Sequence, residues 1–237
     1  MVVDASSEGQ ERVTAALCSG GLDSAVLVAH EATAGTVQPV YVSVGLAWEP
    51  PEREALTRLL AGPAFGDRVL SPVWLECPVA DTYPTTHWAL NGTPPAYGTH
   101  DRDVYLVGRN VMLLAKVGTY CAVHGIERVA VGPLHDNPFP DATRAFFDAM
   151  AKALSLGLNQ PIEIVAPFAT LTKDEVIRRG ASLGVRWELT LSCMNPVQAT
   201  HCGRCSKCRE RLQAFDRAGL EDPAPYAFRP ADVATGR

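Results

Sequence analysis

Four cysteines near the C-terminus have the spacing of a metal site. Cys193, Cys202, Cys205 and Cys208 follow the pattern C-x8-C-x2-C-x2-C. Short C-x-x-C turns let two thiolates hold one ion, and four thiolates complete the tetrahedral shell of a structural Zn²⁺ site. Four thiolates also hold iron–sulfur clusters, so that alternative stays open. His201 lies next to Cys202 and is interpreted as a bystander rather than as a ligand.

A glycine-rich stretch near the N-terminus is suited to binding phosphate. The sequence LCSGGLDS at residues 17–24 separates a short apolar run from an apolar helical pattern. Glycines let backbone N–H groups point at an anion, and a helix N-terminus adds partial positive charge. Ser19 and Ser24 add hydroxyl donors. The stretch predicts a phosphate-binding loop, and a tight strand–helix turn capped by Asp23 or Ser24 is the plainer alternative.

The acidic residue of this loop indicates how phosphate would be bound. The loop lacks the Gly-Lys-Ser/Thr ending of a Walker A motif and has Asp23 instead. A carboxylate beside phosphates is favourable when Mg²⁺ accompanies them, because Mg²⁺ takes carboxylate and phosphate oxygens together. We therefore expect Mg²⁺ to accompany the bound phosphates.

Alternating strand and helix patterns must position these residues. Strands are predicted over residues 12–19, 37–46, 69–79, 127–132 and 162–168. Helices are predicted over residues 24–33, 51–62, 110–125, 139–157 and 172–184. Asp141 is the predicted N-cap of the fourth helix, and Thr172 with Glu175 has capping-box spacing at the fifth. The alternation predicts an α/β fold, a doubly wound and mostly parallel sheet covered on both faces.

The chain is predicted to divide into an α/β domain, residues 1–190, and a small C-terminal metal-binding segment, residues 191–237. Residues 80–103 are rich in Thr, Pro, Gly and Tyr and are predicted to form a long loop. Loops of that length in compact domains are often functional or mobile. A lid over the site is therefore a plausible role for this loop.

Amino-acid composition and charge argue against a membrane, secreted or nucleic-acid-binding protein. The 237 residues are 47% hydrophobic and 20% charged, as in an ordinary soluble globular protein. The net charge of −5 argues against direct nucleic-acid binding driven by electrostatics. The N-terminal run is polar and no apolar stretch reaches the length of a membrane span, so we expect neither signal peptide nor membrane contact, and a cytoplasmic location. Clustered cysteines in such a chain favour metal over disulfides.

Several motifs occur in an order that resembles one enzyme family. They are SGGLDS at 19–24, GRN at 108–110, FPDATRAFF at 139–147, PF and TK between 167 and 173, and the closing SCMNP…HCGRCSKCRERL. Over roughly residues 13–216 the chain resembles the 7-cyano-7-deazaguanine synthases, a branch of the PP-loop ATP pyrophosphatases. The resemblance implies an adenine nucleotide α-hydrolase-like fold and favours Zn²⁺ at the four cysteines.

The resemblance also implies a reaction. The family adenylates the carboxylate of 7-carboxy-7-deazaguanine with ATP and releases pyrophosphate. Ammonia displaces AMP to give an amide, and a second adenylation permits dehydration to the nitrile. The implied cofactors are ATP, Mg²⁺ and Zn²⁺, the implied partners are the deazaguanine carboxylate and ammonia, and we expect a homodimer.

The matching motifs assign roles to particular residues. Those expected to bind ATP are Ser19, Gly20, Gly21, Leu22, Asp23 and Ser24. Asp23, Arg109 and Lys173 are the expected catalytic residues, and Arg109, Asn110 and Asp141 are expected to bind the substrate.

One segment departs from the family pattern. Residues 41–50 read YVSVGLAWEP where the family has an aromatic FDYGQRH-like stretch, and the glutamine and histidine are absent. Trp48 and Glu49 occupy that stretch and are expected to replace the lost contacts. A related amide-forming ligase, or a tRNA-modifying enzyme acting on another substrate, therefore stays open as an alternative.

Overall fold

The computed structural model describes residues 12–228 and contains one five-stranded sheet. Its strands are β1 (Thr14–Leu17), β2 (Val37–Ser43), β3 (Val73–Glu76), β4 (Arg128–Ala130) and β5 (Glu163–Val165). Every pairing is parallel and the order across the sheet is β3-β2-β1-β4-β5. The predicted doubly wound parallel sheet is confirmed.

Helices connect the strands and follow the last one. They are α1 (Leu22–Glu31), α2 (Glu49–Leu60), α3 (Trp88–Asn91), α4 (Arg109–Val123), α5 (Arg144–Leu158), α6 (Lys173–Ser182) and α7 (Ser206–Ala218). The segment predicted as a loop over residues 80–103 contains the short α3 and the start of a 3-10 turn at Asp101–Val104. The predicted polar N-terminal run lies outside the described residues.

Apolar clusters cover both faces of the central strands, where consecutive residues point to opposite sides of the sheet. Ala15 belongs to the apolar cluster that α4 and α5 complete, and Ala16 belongs to the cluster that α1, α2, α6 and α7 complete. The four C-terminal cysteines are part of the first cluster. The cysteine-rich segment therefore shares its apolar packing with the α/β core.

Two helix starts test the predicted caps. Thr172 and Glu175 form the capping box predicted for α6. The N-cap predicted at Asp141 is wrong: α5 begins three residues later, and the Thr143 side chain accepts a hydrogen bond from the Phe146 N–H. Asp141 lies in the 3-10 turn Pro140–Ala142, because its carboxylate is engaged by the start of α4 instead.

Gly180 permits the close packing of α6. A Cβ atom at this position would lie 2.2 Å from Cη2 of Trp187 and 2.6 Å from Cγ2 of Val26. A Gly180→Ala variant is expected to lower the free energy of unfolding by about 1–3 kcal/mol, because the added methyl forces the two side chains apart. Urea unfolding measures the change, with Gly157→Ala as the control, since nothing lies within 4 Å of a Cβ at Gly157. Equal stability of the two variants would contradict this packing.

Within residues 12–228, no helix is both long enough and apolar enough to cross a bilayer.

Candidate active site

A cavity of about 360 Å³ lies at the carboxyl ends of the central strands. The chain leaves β1, builds the sheet outward through β2 and β3, and returns to β4 on the other side of β1. Ligands of open α/β sheets bind where the strand order reverses in this way. The cavity is lined here by residues 17–19 and 21–24 after β1 and by residues 131–133 after β4.

The loop after β1 forms a turn around the start of α1. Gly20 has φ = +78°, and a Cβ there would lie 3.1 Å from Cβ of Leu56, so the turn requires glycine. The Ser24 hydroxyl donates to the Gly21 carbonyl at 3.0 Å and accepts from the Ser19 N–H at 3.2 Å. The first turn of a helix leaves backbone N–H groups without intrahelical partners, and here that turn borders the cavity.

Asp23 and Lys173 meet at the edge of this loop. Lys173 is the first residue of α6, and its Nζ donates to Asp23 Oδ2 at 3.0 Å and also to Glu210. Burial opposes the charge on Lys173, but the Asp23 and Glu210 carboxylates outweigh it and raise the pKa of the amine. Lys173 is therefore a fixed cation beside the loop.

Glu210 links a second lysine to the same place. It accepts a hydrogen bond from Lys207 at 2.6 Å, one helical turn earlier in α7, and Lys207 lines the cavity. Burial favours the neutral form of Glu210, yet Lys173 and Lys207 outweigh it and hold its pKa below the usual range. Two lysines and two carboxylates thus surround the start of α1.

Two buried polar atoms at the cavity have no partner among the described residues. They are Asp23 Oδ1 and Arg109 Nε. Arg109 is the first residue of α4, where the helix dipole disfavours a cation. An unsatisfied buried polar atom costs about 1–3 kcal/mol, so both atoms are suited to a ligand that supplies the missing contact. The free carboxylate oxygen suits a divalent cation, and the guanidinium suits an anion.

Asn110 and Asp141 fasten α4 to the turn after β4. The Asn110 N–H donates to Asp141 Oδ2 at 3.0 Å, and Asn110 Nδ2 donates to the Asp141 carbonyl at 2.9 Å. Asp141 is only 5% exposed, and both residues line the cavity. Their side chains therefore have a structural role at the cavity wall beside the one expected from the sequence.

The divergent segment 41–50 forms another wall. Trp48 lines the cavity and stacks on Trp88 of α3 with ring centroids 5.8 Å apart. Glu49 does not face the cavity: its carboxylate accepts from the Val44 and Gly45 N–H groups and from the Ser43 hydroxyl. Trp48 therefore lines the cavity, whereas the Glu49 carboxylate is occupied by these turn donors, and the ligand contacts expected of the two residues stay predictions.

The four cysteine sulfurs converge on one point. Their Sγ atoms all lie within 4.8 Å of one another, with separations of 3.5 Å for Cys205–Cys208 and 4.0 Å for Cys193–Cys205. A tetrahedron with Zn–S bonds of about 2.3 Å has edges of about 3.8 Å. The sulfurs therefore fit one tetrahedral ion, whereas a cluster of several irons would hold them farther apart.

Backbone N–H groups face the same sulfurs. Cys193 Sγ accepts from the Cys202 N–H at 3.3 Å, and Cys208 Sγ accepts from the Gly203 N–H at 3.3 Å. Such donors stabilise thiolates over thiols. His201 is buried and accepts the Ser192 N–H at Nε2, so that nitrogen is already occupied. Burial lowers the pKa of His201 to about 3, which keeps the ring neutral.

The cysteine segment also contacts the glycine loop that follows β1. The Ser192 hydroxyl, next to Cys193, accepts from the Leu22 N–H at 3.1 Å. Arg211 of α7 is fully buried and forms a bidentate salt bridge with Asp222, with N–O distances of 2.8 and 2.9 Å. This salt bridge fixes α7 to the C-terminal segment that follows it. The metal-binding residues and the loop are therefore held in one framework.

Comparison with known proteins agrees with this geometry. A family model described as "Queuosine biosynthesis protein QueC" matches residues 14–219. The chain belongs to the QueC family of queuosine biosynthesis proteins. The family resemblance predicted from the motifs is thus confirmed.

Two relatives show how far the QueC likeness extends. A 7-cyano-7-deazaguanine synthase from Methanopyrus kandleri is 34% identical over 230 residues, which cover 90% of this chain and 98% of the relative. A protein of the same name from Halobacterium salinarum is 33% identical over 233 residues, covering 91% and 96%. The QueC likeness therefore spans both the loop and the cysteine segment.

A solved structure supports the fold alone. The U34-tRNA thiolase NcsA from Methanococcus maripaludis, determined with its 4Fe-4S cluster, superposes with a TM-score of 0.50 at 12% identity. The match covers 89% of this QueC-family chain and 67% of the thiolase.

Sequence reasoning missed part of the site. Glu52 and Trp88 line the cavity but lie in none of the motifs. Ser192 begins the cysteine motif and Tyr41 begins the divergent segment 41–50, and both line the cavity although neither was given a role. Glu210 was missed because its role depends on Lys173, 37 positions away. The available signal was the position of Tyr41 at the carboxyl end of β2, where side chains of a parallel sheet reach the ligand.

Proposed function

We propose that this protein is an ATP-dependent ligase that converts 7-carboxy-7-deazaguanine to 7-cyano-7-deazaguanine. ATP adenylates the carboxylate and releases pyrophosphate, ammonia displaces AMP to form the amide, and a second adenylation permits loss of the amide oxygen. Family membership supplies the substrate class. The observation that carries the proposal is that the glycine loop, Lys173 and Arg109 line the same cavity.

The residues around the loop suit a departing pyrophosphate. Ser19, Ser24 and the first-turn N–H groups of α1 would bind its oxygens, and Gly20 and Gly21 keep the backbone close. Lys173 supplies positive charge, and Leu22 holds the loop through its N–H bond to Ser192. Fixed donors and cations of this kind favour the charge that develops as pyrophosphate leaves.

Arg109, Asn110 and Asp141 would bind the deazaguanine carboxylate. Arg109 Nε, which has no partner among residues 12–228, suits the substrate carboxylate or the α-phosphate. The Asp141 carboxylate, which faces the cavity, suits paired N–H donors of the base. Asn110 holds Asp141 in place.

Two metals fit the side chains present. Mg²⁺ would be held by Asp23, whose Oδ1 has no partner in the part of the chain that the structure describes, and it would neutralise phosphate charge. Zn²⁺ would be held by Cys193, Cys202, Cys205 and Cys208 as a structural ion. We also propose the division into residues 1–190, which bind ATP, and residues 191–237, which bind zinc.

The test is incubation of the purified protein with ATP, Mg²⁺, ammonium and 7-carboxy-7-deazaguanine. We expect substrate-dependent formation of AMP and pyrophosphate together with the nitrile. Absence of substrate-dependent AMP would overturn the assignment. Formation of AMP with only the amide would favour the alternative of an amide-forming ligase. The divergence of residues 41–50 from the family pattern is the observation that keeps this alternative open.

The remaining expectations concern the binding partners, the oligomeric state and the cellular location. Ammonia as co-substrate, a homodimeric assembly, no direct binding to nucleic acid or membrane, and a cytoplasmic location stay predictions. The net charge of −5 supports the expectation about nucleic acid.

A further inference from the structure

We propose that Glu52 is the base that removes a proton from ammonium in the amide-forming step, and that Tyr41 positions its carboxylate. This inference rests on the proposed function and extends it to a residue that the sequence motifs leave out. It starts from a buried carboxylate that lines the cavity and whose one side-chain partner within residues 12–228 is Tyr41.

The geometry isolates this carboxylate at the cavity wall. Glu52 lies in the first turns of α2, is 8% exposed and lines the cavity. Tyr41 donates to Glu52 Oε2 at 2.8 Å, and within residues 12–228 no other hydrogen bond or salt bridge to this carboxylate is found. Glu49, one turn earlier, is by contrast fully engaged by the turn after β2. One oxygen of Glu52 is therefore available to a ligand.

The surroundings of the carboxylate suit a small cation. Trp48 lies one helical turn before Glu52, and Tyr41, Trp48 and Trp88 all line the same cavity. Aromatic faces and a carboxylate together attract ammonium ions. Arg109 also lines the cavity and acts electrostatically on Glu52, but no salt bridge joins the two among the described residues.

Burial, opposed in part by neighbouring groups, places the pKa of Glu52 in the range of a base that works at neutral pH. Burial raises the pKa of Glu52 to about 7; Arg109 and the Tyr41 hydrogen bond lower it, and Glu49 raises it. Burial, followed by Glu52, raises the pKa of Tyr41, so the phenol keeps its proton and donates. Cys18, at the end of β1, has a pKa raised by burial to about 11 and stays neutral. A base is most effective when its pKa lies near the working pH.

The proton balance of the step is simple. One N–H bond of ammonium breaks, the proton moves to a Glu52 oxygen, and the electron pair stays on nitrogen. That pair forms the C–N bond at the acyl carbon, and the C–O bond to AMP breaks as the adduct collapses. A second proton leaves the nitrogen to water, and Glu52 returns its own proton to solvent before the next turnover.

The experiment separates adenylation from amide formation. Pyrophosphate exchange that depends on the deazaguanine carboxylate reports adenylation, and mixing the preformed adenylate with ammonium reports the ammonia step. Glu52→Gln is expected to keep most of the exchange and to slow the ammonia step at pH 7 by about 100-fold or more. The matched control is Glu54→Gln on the same helix, whose side chain is 63% exposed and pairs with Arg58, and it should behave as wild type.

The pH dependence gives the readout that a purely structural role would not move. At fixed total ammonium, the wild-type ammonia step should rise with pH and level off above about 7, since only ionised Glu52 accepts the proton. In Glu52→Gln the rate should keep rising with pH, because only free ammonia can react. Tyr41→Phe should shift the wild-type rise to higher pH, since the lost hydrogen bond favoured the ionised form. Hydroxylamine, which is largely neutral at pH 7, should partly restore Glu52→Gln.

Each other outcome overturns a defined statement. Equal ammonia steps in Glu52→Gln and wild type, or a wild-type rate that never levels off, overturn the role of Glu52 alone. If Glu52→Gln slows pyrophosphate exchange and the ammonia step by the same factor, Glu52 acts in adenylation or in folding. That result also overturns its role as the base. Absence of exchange in the wild type overturns the proposed function and this inference with it.

Discussion

An Asp23→Asn variant is expected to fold normally and to lose adenylation by about 100- to 1000-fold. Asp23 Oδ1 is buried at the cavity and has no partner within residues 12–228, and Oδ2 accepts a hydrogen bond from Lys173 at 3.0 Å. The amide keeps the size of the side chain but removes the charge that would hold Mg²⁺ beside the phosphates. Pyrophosphate exchange that depends on the deazaguanine carboxylate measures the loss, and the Mg²⁺ concentration for half-maximal rate should rise.

The control and the contrary result are equally specific. Asp148→Asn changes an exposed aspartate on α5 that pairs with Arg144, so it should leave exchange at the wild-type rate. A normal rate in Asp23→Asn at limiting Mg²⁺ would show that the carboxylate has no part in phosphate chemistry, and would return the loop to the plainer alternative of a strand–helix turn.

A Cys205→Ser variant is expected to lose its metal and at least about 3 kcal/mol of unfolding free energy. Cys205 Sγ lies 3.5 Å from that of Cys208 and 4.0 Å from that of Cys193, so its loss opens the tetrahedron. For a chain of this size, each kcal/mol corresponds to roughly 2–4 °C in the melting temperature. Elemental analysis and thermal unfolding together measure both effects.

The metal experiment also identifies the ion. We expect about one zinc per chain in the wild type and no iron or inorganic sulfide. Cys77→Ala removes a thiol outside the cluster and should retain the metal in full. Stoichiometric iron with sulfide would overturn zinc, and full metal retention in Cys205→Ser would remove Cys205 from the ligand set.

The fold could be predicted because its signals are local and repeated. Five strand patterns and five helix patterns appear in the sequence, and their alternation has one common solution, the parallel α/β sheet. The predicted ends of the helices and strands are less accurate than their order. Asp141 is a residue type that often caps helices, but its carboxylate accepts a hydrogen bond from the N–H of Asn110, 31 positions away. Thr143 is therefore the N-cap of α5.

The candidate site likewise contains residues that short sequence motifs reveal and residues that only the folded structure reveals. The loop at 19–24 and the four cysteines carry their chemistry in short spacings, so sequence alone finds them. Glu52 and Glu210 are acidic residues on helices, which the sequence cannot separate from solvated ones such as Glu54. Their roles come from burial and from contacts with Tyr41 and Lys173, which only the folded chain supplies.

Helix α7 has a consequence for how the protein depends on metal supply. It carries Cys208 near its start, Glu210 on the face that holds Lys173, and Arg211 in the interior. An ion that binds only the folded segment stabilises it by mass action, more so as the free ion concentration rises above the dissociation constant. If the four cysteines hold Zn²⁺ as proposed, zinc scarcity would lower the fraction of molecules in which Lys173 and Lys207 are held in place. The measured turnover number would then fall with zinc occupancy, although zinc does not touch the proposed nucleotide site.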